Sequence, residues 1–572
     1  MAGEFQVTGT NAAALFTLKV HRGEGMCLLA MDWKNGKPPA NFVGFAIEYK
    51  EPKGAQFFPL KNRLSFPDSG GDVNPNTLST RQSPIQKFRW VHFPRNAELP
   101  GEFVYQVTPV FMNAQDELSY GEPQQAAIEL RGETYPGKLN IAFTRGFVSS
   151  QAFVDRYESK GPIATLLPAK ADDGLKFTPT HPLAQEALPW MGFEARQAIL
   201  QVLDQAIADK KAQVRVVAYD LNEPEVVSRL EKLGARLKVI VDDDGSHGKP
   251  GSAEDQAQAR LAKSAGKDHV KRQHMGQLQH NKTIVVDGPK VQAVVCGSTN
   301  MSWRGWYVQN NNAMILRGKS AVKLFLAAFD GYWQHSDVPG FGGTASAKWT
   351  GLGLAGIDAS VTFSPHVTAN AALAAIADDV GKKTKSSLFY SLAFLYQTPG
   401  AMLEAIKKVT ADDKIFVYGI SDRPVGGIDV QKPDGNVAPV SPAALQGDNV
   451  PEPFKAEPTG GGGVRMHHKF LVIDFDKPTA RVYLGSYNFS ATADGKNGEN
   501  LLLVRDRRVT VAYVVEALRI FDHYHFRLAQ EEAKGKSQKL VLAKPPRKAG
   551  DLPLWQEDYV DARKIRDRKL FA

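Results

Sequence analysis

Two stretches of this chain carry the same reactive residue types at the same spacing. His280, Lys282 and Asp287 stand in QHNKTIVVDG, followed by the turn Gly297-Ser298-Thr299-Asn300; His467, Lys469 and Asp474 stand in HHKFLVIDF, followed by Gly485-Ser486-Tyr487-Asn488. On a strand, residues two apart share a face, so each histidine and its lysine can meet one ligand. The apolar TIVV and FLVI that follow predict buried strands, with the polar groups at their ends in a dry, rigid pocket. Imidazole, ammonium, hydroxyl and carboxamide together suit a phosphate, which needs one group to attack or protonate and several to donate to its free oxygens.

Two copies matter because phosphodiester cleavage needs a nucleophile on one side and a proton donor for the leaving oxygen on the other. One histidine from each copy supplies that pair. Two lysines then offset charge that divalent cations neutralise elsewhere, and no carboxylate-rich cluster adjoins either motif in sequence, so the chemistry is expected to need no metal and no cofactor. The copies lie 187 residues apart, from His280 to His467, which is the scale of a duplicated domain.

The doubled H-x-K-x4-D with its following G-S-x-N resembles the phospholipase D superfamily, over roughly residues 138 to 540. The resemblance implies an α/β fold of two halves about a pseudo-twofold axis, with one active site complete within the chain. His280, Lys282 and Asn300 would face His467, Lys469 and Asn488 there, with Ser298 and Ser486 joining the asparagines on the phosphate. Reaction would pass through a phosphohistidine, with water or an alcohol as acceptor. Members often carry a carboxylate after the asparagine to orient a histidine. Glu499 stands eleven residues past Asn488, but the matching position in the first half is Asn311. If the carboxylate reaches across the axis, His280 becomes the nucleophile and His467 the acid; a contact within the half reverses the roles. Asp287, Asp474 and Asn311 are expected to support the structure.

The remaining chain must position these groups. Residues 1 to 132 show short alternating runs separated by turn residues, which predict an all-β sandwich. Its LPGEFVYQVTPVF segment resembles the later strands of a fibronectin type III domain, with Tyr105 as a tyrosine-corner residue. From about 138, strands alternate with helical patterns, predicting mixed, mostly parallel sheets flanked by helices in two domains, 138 to 345 and 354 to 540. Long polar loops, 242 to 279 and 422 to 465, precede the motifs, the second ending in Gly460 to Gly463. A tail from 541 to 572 is expected to pack back.

Composition bounds the function. The 43% hydrophobic content is that of a globular protein, and the net charge of +9 favours anionic partners. Cys27 and Cys296 alone exclude a disulfide framework. The N-terminus shows no secretory signal and no apolar run could span a bilayer, so a cytoplasmic place follows by default, with signal-independent export left open. The first reading is hydrolysis of phospholipid head groups at a membrane surface. A nuclease is the alternative, drawing on Lys263, Lys267, Lys271 and Arg272 in one loop; a non-catalytic scaffold is a third. The oligomeric state is not specified by the sequence.

Overall fold

A computed structural model describes residues 3–68, 71–146, 153, 156–393, 395, 400–422, 428–440, 466–548 and 550–572. The chain forms two compact units, Met1–Gly132 with Val511–Ala572, and Glu133–Thr510. Residues 138 to 345 and 354 to 510 therefore lie in one unit, and residues 511 to 540, expected with the second α/β half, join the first unit.

The first unit contains β1 (Gln6–Thr8), β2 (Phe16–Arg22), β3 (Cys27–Trp33), β4 (Phe42–Lys50), β5 (Phe58–Pro59), β6 (Arg89–His92), β7 (Glu102–Met112), β8 (Leu118–Tyr120) and β9 (Gln124–Glu129). They build two antiparallel sheets, β1-β2-β3-β6 and β5-β4-β7-β8, with β9 on β7. Alternation decides which side chains face inward: Phe16, Leu18 and Val20 on β2 and Phe103, Tyr105 and Val107 on β7 belong to one apolar core. Trp555 and Tyr559 of the C-terminal stretch enter the same core. The Tyr559 hydroxyl accepts from the Trp33 amide at 3.1 Å, and the Trp555 indole donates to the Pro39 carbonyl at 2.9 Å. Tyr105 departs from the tyrosine-corner expectation. Its hydroxyl pairs with His92 Nδ1 at 3.0 Å, because it sits mid-strand in β7, where ladders to β4 and β9 flank it and its ring points at β6.

The second unit holds two sheets. The first comprises β10 (Leu139–Phe143), β11 (Gln213–Ala218), β12 (Leu237–Val241), β13 (Val270–Arg272), β14 (Lys282–Asp287), β15 (Gln292–Gly297) and β16 (Asn312–Arg317), ordered β10-β16-β15-β14-β11-β12-β13. The second comprises β17 (Thr350–Gly351), β18 (Asp358–Ser364), β19 (Ser387–Leu392), β20 (Phe416–Asp422), β21 (Ile428–Gln431), β22 (Val437–Val440), β23 (Phe470–Ile473), β24 (Arg481–Gly485) and β25 (Glu499–Arg505), ordered β17-β18-β25-β24-β23-β19-β20-β21-β22.

The expectation of mostly parallel sheets is corrected. Among the described residues of this unit, only the ladders β11-β12, β12-β13 and β19-β20 run parallel; its other ladders are antiparallel. The reason is local. The links from β14 to β15 and from β23 to β24 are too short for a crossover helix, so those strands must pair antiparallel. The ladders β15-β16 and β24-β25 are also antiparallel, although a short helix, Trp303–Tyr307 or Ala491–Gly495, lies in each connection. The genuine β-α-β steps lie upstream of each motif.

The expected loop 242 to 279 is also corrected. It contains a helix, Ala253–Ala265, whose Ser252 hydroxyl accepts from the Asp255 amide at 3.1 Å, and the strand β13. Ser252-Ala253-Glu254-Asp255 has the serine-to-acid spacing of a helix start. Within the loop expected at 422 to 465, β21 and β22 form a hairpin; Gly460 to Gly463 lie outside the described residues. The helix Ala184–Ala208 bends where Phe193 takes φ 48°.

Trp555 is 5% exposed in the first unit's core. Trp555→Ala is expected to cost about 3 kcal/mol of that unit's stability, read as a lower urea midpoint with an unchanged slope. A shift below about 1 kcal/mol, the surface-substitution range, would contradict this packing.

Candidate active site

Each motif delivers its polar groups to one end of its strands. Lys282 opens β14 and Lys469 immediately precedes β23, each two residues after its histidine. Gly297 and Gly485 end the next strands at φ 125° and 143°, and a Cβ there would meet the Asn312 carbonyl at 2.5 Å and the Asn500 carbonyl at 2.2 Å. Only glycine lets the third strand approach so closely. That approach sets Asn311 and Asn312 in one half, and Glu499 and Asn500 in the other, beside the histidines.

The side chains then cross between motifs. His280 Nδ1 bonds Glu499 at 2.9 and 3.0 Å, while His467 Nδ1 bonds Asn311 Oδ1 at 2.7 Å. The next residues repeat the exchange: Asn500 donates to Asn281 Oδ1 at 3.0 Å, and Asn312 Nδ2 approaches His468 Nδ1 at 3.4 Å. The His280 and His467 rings stand 6.3 Å apart, centroid to centroid, inclined at 71°. A carboxylate or amide oxygen can only accept, so each histidine carries its proton on Nδ1 and presents Nε2 for chemistry. Asn311 Nδ2 donates to the Gly305 carbonyl at 2.8 Å, which leaves its Oδ1 toward His467.

The lysines are tied to the histidines' own backbone. Lys282 Nζ donates to the His280 carbonyl at 2.5 Å and Lys469 Nζ to the His467 carbonyl at 2.9 Å. Burial pulls the Lys282 ammonium down to about 8 against the opposing pull of Glu499. Burial, reinforced by Lys282, holds Lys469 well below its ordinary value. The histidines respond unequally. Burial lowers His280 while Glu499 opposes it; burial together with Lys469, Lys282 and His280 drives His467 well below the usual histidine range. Burial outweighs the carboxylates that act on the two lysines, Glu499 and Asp220 on both, Asp242 on Lys282 and Asp422 on Lys469.

The remaining expected residues divide. Asn300 Nδ2 donates to Asp220 at 2.7 Å, which leaves one amide hydrogen for a ligand. Asn488 is partly buried, and its Oδ1 has no partner among the described residues. Ser298 and Ser486 are fully buried and do other work. Ser298 Oγ donates to Asn311 Oδ1 at 2.9 Å and accepts the Asn312 amide at 3.0 Å; Ser486 Oγ accepts the Asn500 amide at 3.0 Å. Both hydroxyls therefore brace the third strand. Asp474 clamps the start of β19, accepting the Lys385 and Ser386 amides at 2.8 Å each. Asp287 closes β14, with Gln292 Nε2 at 3.5 Å.

Sequence spacing missed one cluster. His247 bridges Asp242 at 2.8 Å and Asp220 at 3.2 Å, and those bonds overcome burial to raise its imidazole to about 10. Asp220, His247 and Glu254 bring ligand-type atoms within 4.8 Å of one another, so a carboxylate-rich group does stand beside the first motif, contrary to expectation. Both His247 nitrogens are occupied by carboxylates, which makes it a charged brace. Tyr219 lies between it and the site, with its ring 4.6 Å from His247 and 4.8 Å from His280. Nothing in the linear spacing links 220, 242 and 247. Asn281 and Asn500 were findable, since each directly follows a site residue and their counterparts occupy the same places in the other copy.

Gly485→Ala is expected to cost about 1–3 kcal/mol from backbone strain and, by shifting Glu499, to lower turnover about 100-fold. Gly351→Ala has open space around its Cβ and serves as the neutral comparison. Equal behaviour of the two variants in urea unfolding and activity would contradict the close-approach argument.

Residues 200–333 match a family model described as "Cardiolipin synthase, PLD-like domain". Over 48 residues the chain is 40% identical to "Phospholipase D" of Rickettsia prowazekii (strain Madrid E), covering 8% of this chain and 22% of that protein, so it spans about a fifth of the relative's length. Among solved structures, phosphatidylserine synthase of Haemophilus influenzae Rd KW20 aligns with TM-score 0.38 at 12% identity, covering 59% of this chain and 91% of that one. Nuc of Salmonella typhimurium, described as a phospholipase D family member, aligns with TM-score 0.20 at 23% identity over 25% of this chain and 88% of its own. Residues 200–333, under a quarter of the chain, are thus similar to a PLD-like domain.

Proposed function

We propose that the chain is a metal-independent phosphodiesterase that hydrolyses phospholipid head groups through a phosphohistidine. The observation that carries this is the crossed pair: His280 held by Glu499 and His467 held by Asn311, ring to ring at 6.3 Å. The matched contacts at 281–500 and 468–312 support a pseudo-twofold relation between the halves. The two antiparallel sheets of the first unit are in keeping with a fibronectin-like sandwich that serves as a packing or binding module.

His280 is assigned as nucleophile because Glu499 opposes the burial that lowers its proton affinity, whereas Asn311 gives His467 no such charge. His280 Nε2 attacks phosphorus, and the bond from phosphorus to the head-group oxygen breaks. His467, protonated once the anionic substrate is seated between Lys282 and Lys469, gives its Nε2 proton to that oxygen. Water then attacks the phosphatidyl-His280 adduct, its proton passes to His467, and the His280 nitrogen leaves. Donors from Lys282, Lys469, Asn300 and Asn488 would hold the free oxygens.

The nuclease reading loses part of its support. Lys271 donates to the Trp333 carbonyl at 2.8 Å, and Arg272 donates to the carbonyls of Asp242 and His247 at 2.9 and 2.6 Å, so two of the four cations brace the fold. A scaffold reading is disfavoured by the completeness of both residue sets. No helix among the described residues is long and apolar enough to cross a membrane, so a lipid substrate would be met at the surface of the bilayer.

Purified protein is expected to release head-group alcohol from phospholipid vesicles, with chelator leaving the rate unchanged and His280→Ala reducing it at least about 10⁴-fold. Inactivity on every lipid class alongside cleavage of DNA would contradict the lipid assignment. Asn311→Asp tests the roles. A carboxylate at His467 Nδ1 raises its proton affinity, and a general acid is lost as pH rises through its pKa, so the alkaline decline of kcat should move to higher pH. Movement of the acid limb instead would make His467 the nucleophile.

A further inference from the structure

A cavity of about 730 Å³ opens on the second sheet. Its wall is one row of side chains on one face: Ser360 of β18, Leu503 of β25 and Tyr483 of β24, which are direct ladder neighbours. The two halves differ here. In the first, the helix Ala184–Ala208 packs across β10 and β16. In the second, the helix Ala371–Lys383 packs on the helix Ala401–Thr410, and the space between it and this row is the cavity. Arg505, at its edge, is six residues along β25 from Glu499, which is about 20 Å at strand spacing. The cavity shares no lining residue with the histidine site.

Its charge is arranged at the mouth. Deep in the cavity, Arg481 is satisfied by Asp379 at 2.7 and 3.1 Å. Around the rim stand Lys382, Lys383, Lys385 and Arg505. Among the described residues Lys382 and Arg505 pair only with the exposed Asp378 and Asp358, Lys383 stands 3.5 Å from Asp379 with its own side chain exposed, and Lys385 makes no ion pair; solvent weakens such contacts. Trp349, 39% exposed, lies on the same rim. Lysines that keep their heads in water, beside a half-exposed indole over an apolar wall, match the boundary layer of an anionic bilayer.

We propose that this cavity is a second, non-catalytic site that takes the phosphate of an anionic phospholipid on Lys382, Lys383 and Lys385, with the adjoining glycerol and acyl chain against Trp349 and Leu503. It would hold the unit on an anionic membrane surface, and it does not rest on the catalytic reading. The test is pelleting with phosphatidylcholine vesicles with and without phosphatidylglycerol, in a His280→Ala background so that no lipid is consumed. Binding is expected only with phosphatidylglycerol, and to weaken about tenfold or more when Lys382, Lys383 and Lys385 are all changed to Glu. Trp349→Ala should weaken it too. Both variants should keep the unfolding stability in urea of the otherwise unmodified chain to within about 1 kcal/mol, which shows that they fold. Pelleting that needs no phosphatidylglycerol, or that survives both sets of changes, would overturn the proposal. So would full displacement from the vesicles by millimolar glycerol phosphate, which would assign the site to a free phosphate ester.

Discussion

The α/β unit depends on one exchange: the Nδ1 of each motif histidine is held by the third strand of the other motif. His280 takes Glu499 and His467 takes Asn311. Neither motif can orient its own histidine, so the site exists only where both are assembled. The glycines that end β15 and β24 make this possible by admitting the following strand at a distance that any Cβ would block. Ser298 and Ser486 then lock that strand from behind.

The exchange is unequal, and the inequality gives the site its chemistry. Two histidines and two lysines are buried together, and of His280 and His467 only His280 bonds a carboxylate, Glu499, among the described residues. Burying like charges is costly unless they are paired or shed protons; His467 and Lys469 are driven furthest toward neutrality. A phosphodiester arriving between them adds negative charge. Under the proposed function, substrate binding and protonation of His467 would be one event, readying the acid only when there is an oxygen to protonate.

Much of this was legible in the chain. The doubled spacing identified His280, Lys282, His467 and Lys469, and the Glu499-against-Asn311 mismatch was visible by counting from the asparagines. The apolar TIVV and FLVI runs marked buried strands. Strand direction was not legible from those runs, because a buried strand looks alike in either sense; it was written instead in the short links from Asp287 to Gln292 and from Ile473 to Arg481. The helix at Ala253–Ala265 was obscured by its polar surface, although Ser252 and Asp255 signalled its start. The bracing role of Ser298 and Ser486 was not legible because a turn hydroxyl can face a ligand or bond the next strand with the same sequence. The brace of Asp220, Asp242 and His247 joins three loop positions that no periodicity relates.

The most direct measurement is to trap the adduct. Protein mixed briefly with phospholipid, denatured in base to preserve the phosphorus–nitrogen bond and mapped by mass spectrometry, should carry the phosphatidyl group on His280 and not on His467. An adduct on His467, or turnover with no adduct on either histidine, would contradict the account.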